Sequence, residues 1–189
     1  MYKRQVSVGL YIGVIISIGM IVFETSFPTI AHLGKLPESE GGQFRDVRRF
    51  PSAEQIPGIA IVRMDATLFF ANCEHFKDVI MQAVEGHYHT SPLRIEKIVI
   101  DAKCWIDIDL AGISKLFEIK QELIRLPSRP ILVLANAHDE IVHVLGPSFV
   151  DDRCHIVLSI DDAVAMEVSC SLSSIEEKAV DHTDSKDID

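Results

Sequence analysis

The chain has 189 residues, enough for one ordinary domain with extensions. It carries 28 acidic against 18 basic residues, and the net charge of −10 argues against general binding to a phosphate backbone, so no nucleic-acid partner is expected. Cys73, Cys104, Cys154 and Cys170 stand far apart with no C-x-x-C pair, which argues against a disulfide framework or a zinc knuckle and reads as reduced thiols in a cytosolic setting.

The N-terminus bears Lys3 and Arg4, and from Val6 to Phe23 no residue is charged. That run is just long enough to span a bilayer as one helix, so residues 1–24 are predicted to form a transmembrane helix. Ser7 and Ser17 are tolerable there because a hydroxyl can donate to a backbone carbonyl within the helix. Gly9 and Gly13 form a G-x-x-x-G, which permits close helix packing, although glycines are frequent in membrane helices anyway. Lys3 and Arg4 would hold the N-terminus inside and send the domain out, while Lys35, Arg45, Arg48 and Arg49 lie on the other flank. Charge alone does not fix the orientation. Residues 25–43, punctuated by Pro28, Gly34, Pro37, Gly41 and Gly42, read as a linker.

Phe44–Phe50 reads as an edge strand with basic residues facing solvent or lipid headgroups, and Ile59–Met64 as a second strand. A helix follows, with Asn72 as its N-cap and Phe76, Val79, Ile80 and Ala83 at helical spacing. Gly86–Pro92 reads as a loop. His87 and His89 within it lack an evident third ligand, so no metal site is expected.

Ile98–Ile113 is the stretch around which the chain is organised. Ile98, Val99 and Ile100 suit a strand covered on both faces. Asp101 sits at its end, and Asp109 stands where a helix N-cap would stand, with Gly112 in the first turn. Asp101, Asp107 and Asp109 could gather a cation or act as an acid–base pair. No His or Lys neighbours them, and the plainer reading is a capped helix with solvated or paired carboxylates. The following helix places Ile113, Leu116, Phe117, Leu123 and Ile124 on one face, with Lys115 among the residues lying largely elsewhere, and Pro127 stops it. Ile131–Leu134 is a buried strand, Asn136–Leu145 a short helix, Ile156–Leu158 the last strand. Ser159 caps a final helix, with Asp161 and Asp162 in its first turn, that fades around Cys170. Ser171–Asp189 is acidic, Ser-rich and without apolar periodicity, and is expected to be disordered. Strands alternating with helices imply parallel pairing in a small α/β sheet. There is no G-x-x-x-x-G-K or G-x-G-x-x-G fingerprint, and Cys104 reads as a small apolar filler rather than a nucleophile served by His138, His143 or His155.

The apolar strand, Asp101 and IDIDLAGI at Ile106–Ile113 together resemble the core motif of STAS domains, named for sulfate transporters and anti-sigma factor antagonists. Phe27–Pro37 looks like the segment after the last membrane helix of sulfate permease (SulP) anion transporters. Phe44–Asp78 and Ile131–Leu145 are similar to further stretches of that family's STAS domain. The resemblance covers roughly residues 7–168. It implies a small mixed α/β sheet flanked by helices over residues 44–170, preceded by one transmembrane helix and followed by a tail at 171–189. In the antagonists a phosphorylatable Ser precedes the motif glycine. Here that position is Ala111, so the phospho-switch cannot run, and Ser114 lies a turn too far along to replace it. What the resemblance leaves at the site is a partner or nucleotide contact formed by Asp101, Asp107, Asp109 and Gly112, using helix N–H donors.

The resemblance implies sulfate or related anion transport, with the STAS domain cytoplasmic and serving regulation. Its partners would be membrane lipid, other transporter helices or a second protomer, and a regulatory protein. No cofactor and no enzymatic activity are expected. One helix cannot enclose a midplane site, so the chain is expected to be a piece lacking the transport core. The alternative is a membrane-tethered STAS interaction module without transport activity. Burial of each large apolar side chain contributes about 1.5–3 kcal/mol, so removing Met1–Glu24 is expected to leave a folded domain by circular dichroism.

Overall fold

The computed structural model describes residues 2–90 and 94–166. Helix α1 runs over Tyr2–Ser26. Within it, Val8–Ser26 is long and apolar enough to cross a membrane, and none of that window is buried against the rest of the chain. At about 1.5 Å per residue its length matches a hydrocarbon core of about 30 Å. Ser17 donates to the Gly13 carbonyl at 2.9 Å and Thr25 to that of Ile21 at 2.6 Å, so these hydroxyls are satisfied within the helix.

The stretch read as a linker is in part a strand. After Phe27, Pro28 and Thr29 the chain enters β1 (Ile30–Lys35). Ile30, Ala31 and Leu33 are buried there. β1 pairs antiparallel with β2 (Phe44–Asp46) on one side and with β3 (Ile59–Met64) on the other. Gly34 explains how the sequence hid it. A Cβ at that position would lie 2.8 Å from the Glu54 carbonyl oxygen, where Lys35 and Glu54 exchange backbone hydrogen bonds. The glycine admits a close backbone approach inside a strand and does not break it.

The described strands form one sheet in the order β2-β1-β3-β4-β5-β6. β4 (Lys97–Asp101), β5 (Ile131–Ala135) and β6 (Cys154–Val157) continue from β3 in parallel. The sheet is therefore mixed, with an antiparallel β2-β1 margin; β2 lies at one edge as expected, but the strand read over Phe44–Phe50 stops at Asp46 and the chain turns at Val47, Arg48 and Arg49. Every residue of β4 and of β5 is buried, the two-sided cover their β-branched runs require.

Helices α2 (Cys73–Thr90), α3 (Leu110–Arg125) and α4 (Asp139–Leu145) lie on one face of the sheet. There Phe76, Ile80, Leu116, Ile119, Leu123 and Ile141 meet Val62, Ile98, Ile100, Leu132 and Leu134. α5 (Ile160–Ala165) covers the other face, with Ile160 and Ala163 against Val99, Val133 and Ala135. Strand alternation sends Ile98 and Ile100 one way and Val99 the other.

Three local readings are corrected. α2 continues through Gly86, His87, Tyr88 and His89, where the sequence suggested a loop. Asn72 does precede α2, but its side chain turns back into the preceding loop, accepting from the Phe69 N–H at 3.0 Å and donating to the Thr67 carbonyl at 3.0 Å. Asn136 lies outside α4, because its backbone is left-handed (φ 55°), a conformation no right-handed helix contains. Ser159 caps α5 as expected, accepting from the Asp162 N–H at 3.1 Å. The expected fading near Cys170 and the acidic tail fall outside the described residues.

α2 and α3 are joined by an ion-pair ladder. Lys77 reaches Glu118 at 2.6 Å and Glu122 at 2.7 Å, and Lys115 reaches Glu74 and Glu118 at 2.6 Å. Lys115 and Lys120 are buried on α3, against the expectation for Lys115. Their stems cover apolar surface while the ammonium groups find partners, Lys120 with Asp151 at 2.7 Å and the Phe149 carbonyl at 2.9 Å. Hydrogen bonds from Lys115 and then Lys77 hold the Glu118 carboxyl down at about 2, against an ordinary 4.5. A carboxyl depressed on folding stabilises the fold above its unfolded value and loses that contribution as pH falls through the folded one. The stability difference between the parent and Glu118→Gln should therefore be full above pH 4.5 and vanish toward pH 2, as read by urea unfolding across that window.

Candidate functional site

β3 and β4 both end at the same edge of the sheet and feed loops that lie side by side. Leu68 and Ile108 form a parallel bridge between those loops. Asp109 caps α3 as its position implied: Oδ1 accepts from the Gly112 N–H at 2.7 Å. The partner of its second oxygen has no local signal in the sequence. Oδ2 accepts from the Phe70 N–H at 3.0 Å, tying α3 to a loop 39 residues earlier. One carboxylate thus closes a helix start and joins two loops. Asp109→Ala should lower the unfolding free energy by about 1–2 kcal/mol, the range of a lost N-cap, with Asp109→Asn retaining part of it in a urea titration.

Gly112 fits because nothing larger does. A Cβ there would lie 2.9 Å from the Leu68 carbonyl oxygen and 2.9 Å from Ile108 Cγ1. Asp101 closes β4 and is 2 % exposed. Its Oδ1 accepts from Asn136 Nδ2 at 2.8 Å and from the Lys103 N–H at 3.2 Å. Asn136, which the sequence reading gave to a helix, instead links the ends of β4 and β5. Its signal was faint: Asn is one of the few residues that tolerate the left-handed region. Asp107 is exposed, with Oδ1 receiving the Ile108 N–H at 2.7 Å. Ala111 occupies the turn between Asp109 and Gly112, and Ser114 donates back to the Leu110 carbonyl at 2.8 Å.

The three carboxylates therefore serve different tasks. Asp101 and Asp109 are spent on internal donors, and Asp107 faces solvent. Among the described residues no three His, Cys, Asp or Glu side chains come together as metal ligands. Cys104 lies beside a carboxylate, its Sγ 3.8 Å from Asp65 Oδ1. Burial first, then the charge of Asp65, pushes its thiol up, away from the nucleophilic thiolate. Burial likewise pushes Cys154 up to about 12. Cys73, Cys104 and Cys154 are all free.

These residues form a rim at the end of the sheet where β3 and β4 stop, with Asp107 exposed on it. Large apolar side chains stand on it: Phe70, Ile106 and Leu110 are 72 %, 76 % and 79 % exposed. A shallow surface depression beside Ile106 is walled by His138, Asp139 and Glu140.

Comparison with known proteins places this arrangement. High affinity sulfate transporter 2 of Stylosanthes hamata is 32% identical over 169 residues, which cover 86% of this chain and 25% of that protein. Sulfate transporter 1.1 of Arabidopsis thaliana is 31% identical over 181 residues, covering 92% of this chain and 27% of that protein. The chain thus spans about a quarter of the length of these relatives. In fold it is similar to the murine Solute Carrier 26 family member A9 anion transporter in the inward-facing state, with a TM-score of 0.64 at 24% identity over 82% of this chain and 25% of that one. Residues 50–163 match the STAS domain. The chain belongs to the STAS domain family, and its STAS region is related to those of sulfate transporters.

Proposed function

We propose that this chain is the portion of a sulfate or related anion transporter that comprises a membrane helix and its regulatory STAS domain. The observation that carries this reading is a membrane-length helix joined by three residues to the first strand of a STAS sheet. The likeness to sulfate transporter 1.1 covers 92% of the chain, and the uncovered remainder is shorter than α1, so the likeness extends into that helix. Free cysteines support a cytoplasmic domain. A transporter's midplane site needs several helices, so transport is a property of the whole protein in this reading, and the chain by itself serves regulation and contact with other helices or a second protomer.

A chimera tests this. Sulfate transporter 1.1, with its matching region replaced by this chain, should take up labelled sulfate above an empty vector. This chain expressed alone should match the vector. A chimera that reaches the membrane yet takes up nothing, together with a stable protein partner captured by the chain alone, would instead make it a tethered interaction module.

A further inference from the structure

We propose that the end of the domain carrying Phe70, Ile106 and Leu110 rests on the lipid bilayer beside α1, with these side chains in the interfacial layer. The proposal rests on reading α1 as a membrane span. Only Phe27, Pro28 and Thr29 separate α1 from β1, at most about 10 Å of extended chain. β1 runs antiparallel to β3 and starts opposite its last residue, Ile30 facing Met64. The membrane helix therefore arrives at the edge of the sheet where the parallel strands end, the edge that bears the rim.

Two contacts fix that approach. The Phe27 ring lies 5.3 Å from His75 in the first turn of α2, and 5.0 Å from Phe23 of α1. The Thr29 carbonyl accepts from the Asp65 N–H at 3.1 Å. Asp65 opens the loop that carries Phe70, and Asp109 binds that loop to the start of α3, where Leu110 stands. Tether and apolar tips thus belong to one rigid unit at the membrane end of the domain. Apolar side chains on such a unit enter the boundary between headgroups and acyl chains. Asp107, Asp139 and Glu140 are exposed around Ile106 and would be repelled by anionic headgroups, so the lipid that fits is zwitterionic.

The test uses the full chain in phosphatidylcholine vesicles with lipid brominated near the headgroup. Trp105 is the only native tryptophan and is fully buried, so it serves as the internal background. Phe70→Trp and Leu110→Trp add probes at exposed positions, and Glu96→Trp adds an exposed one before β4, at the opposite end of the sheet. Brominated lipid should quench the first two at least about twofold more than the third, as expected for side chains at the acyl boundary. Quenching no greater than at Glu96→Trp, in a chain that stays in the carbonate-resistant membrane pellet, overturns the proposal and leaves the membrane reading of α1 standing. Release from that pellet overturns both. Probes shielded from aqueous quencher but untouched by brominated lipid would mean that a protein, or a second copy of this chain, covers the rim, and would also overturn it.

Discussion

Trp105→Ala is expected to lower the unfolding free energy by about 3–5 kcal/mol, the range for emptying a buried aromatic site. Trp105 is fully buried and anchors the loop after β4. Its ring meets Phe76 of α2 edge-on, with centroids 5.6 Å apart and planes at 77°. Such pairs add about 0.5–1.5 kcal/mol beyond their buried area. Its backbone N–H donates to the Ala102 carbonyl at 2.9 Å, turning the chain sharply out of the sheet. The indole Nε1 has no hydrogen-bond partner among the described residues. A buried donor left so is itself destabilising by about 1–3 kcal/mol. Trp105→Phe removes that donor along with some volume, so its loss should be well under half that of Trp105→Ala. Urea unfolding in detergent, followed by far-ultraviolet circular dichroism, measures both. A Trp105→Phe loss equal to that of Trp105→Ala would overturn this account of the site.

Gly112→Val should cost about 3 kcal/mol, at the upper end of overpacking penalties. The obstruction is the Leu68 carbonyl oxygen, a backbone atom in a loop held by Asn72 and Asp109, which cannot swing aside as a side-chain tip would. Gly112→Ala meets the same oxygen but gains about 1 kcal/mol of helix propensity, so its loss should be smaller. Neither change touches an atom that could bind a ligand directly. If Gly112→Val in the transporter chimera abolishes uptake while Gly112→Ala with intact packing does not, the glycine acts through the fit of the two loops.

What could be read from the residues divides by range. The strand at Ile98–Ile100, the cap at Asp109 and the cap at Ser159 follow from neighbours within a few positions, and all three stand where the local chemistry put them. β1 could not be found this way. IAHLGK has a glycine within it and prolines close by on both sides, and it becomes a strand only because β3 and a turn around Glu54 come to meet it. α2 ran past Gly86 for a related reason: a glycine costs a helix only about 1 kcal/mol, too little to end one that the sheet face already supports. Lys115 is buried against expectation because charge predicts a head in water and says nothing of the four-carbon stem beneath it. At the site, Asp109 was legible as a cap. Its hold on Phe70 was not, since nothing local links positions 70 and 109.

The three-residue join between α1 and β1 has a mechanical corollary. β1 is clamped between two strands, so it cannot slide or swivel without breaking ladder hydrogen bonds. With only three residues between them, a piston stroke or tilt of the helix has little slack in which to dissipate before it pulls on the sheet. The domain would follow the helix.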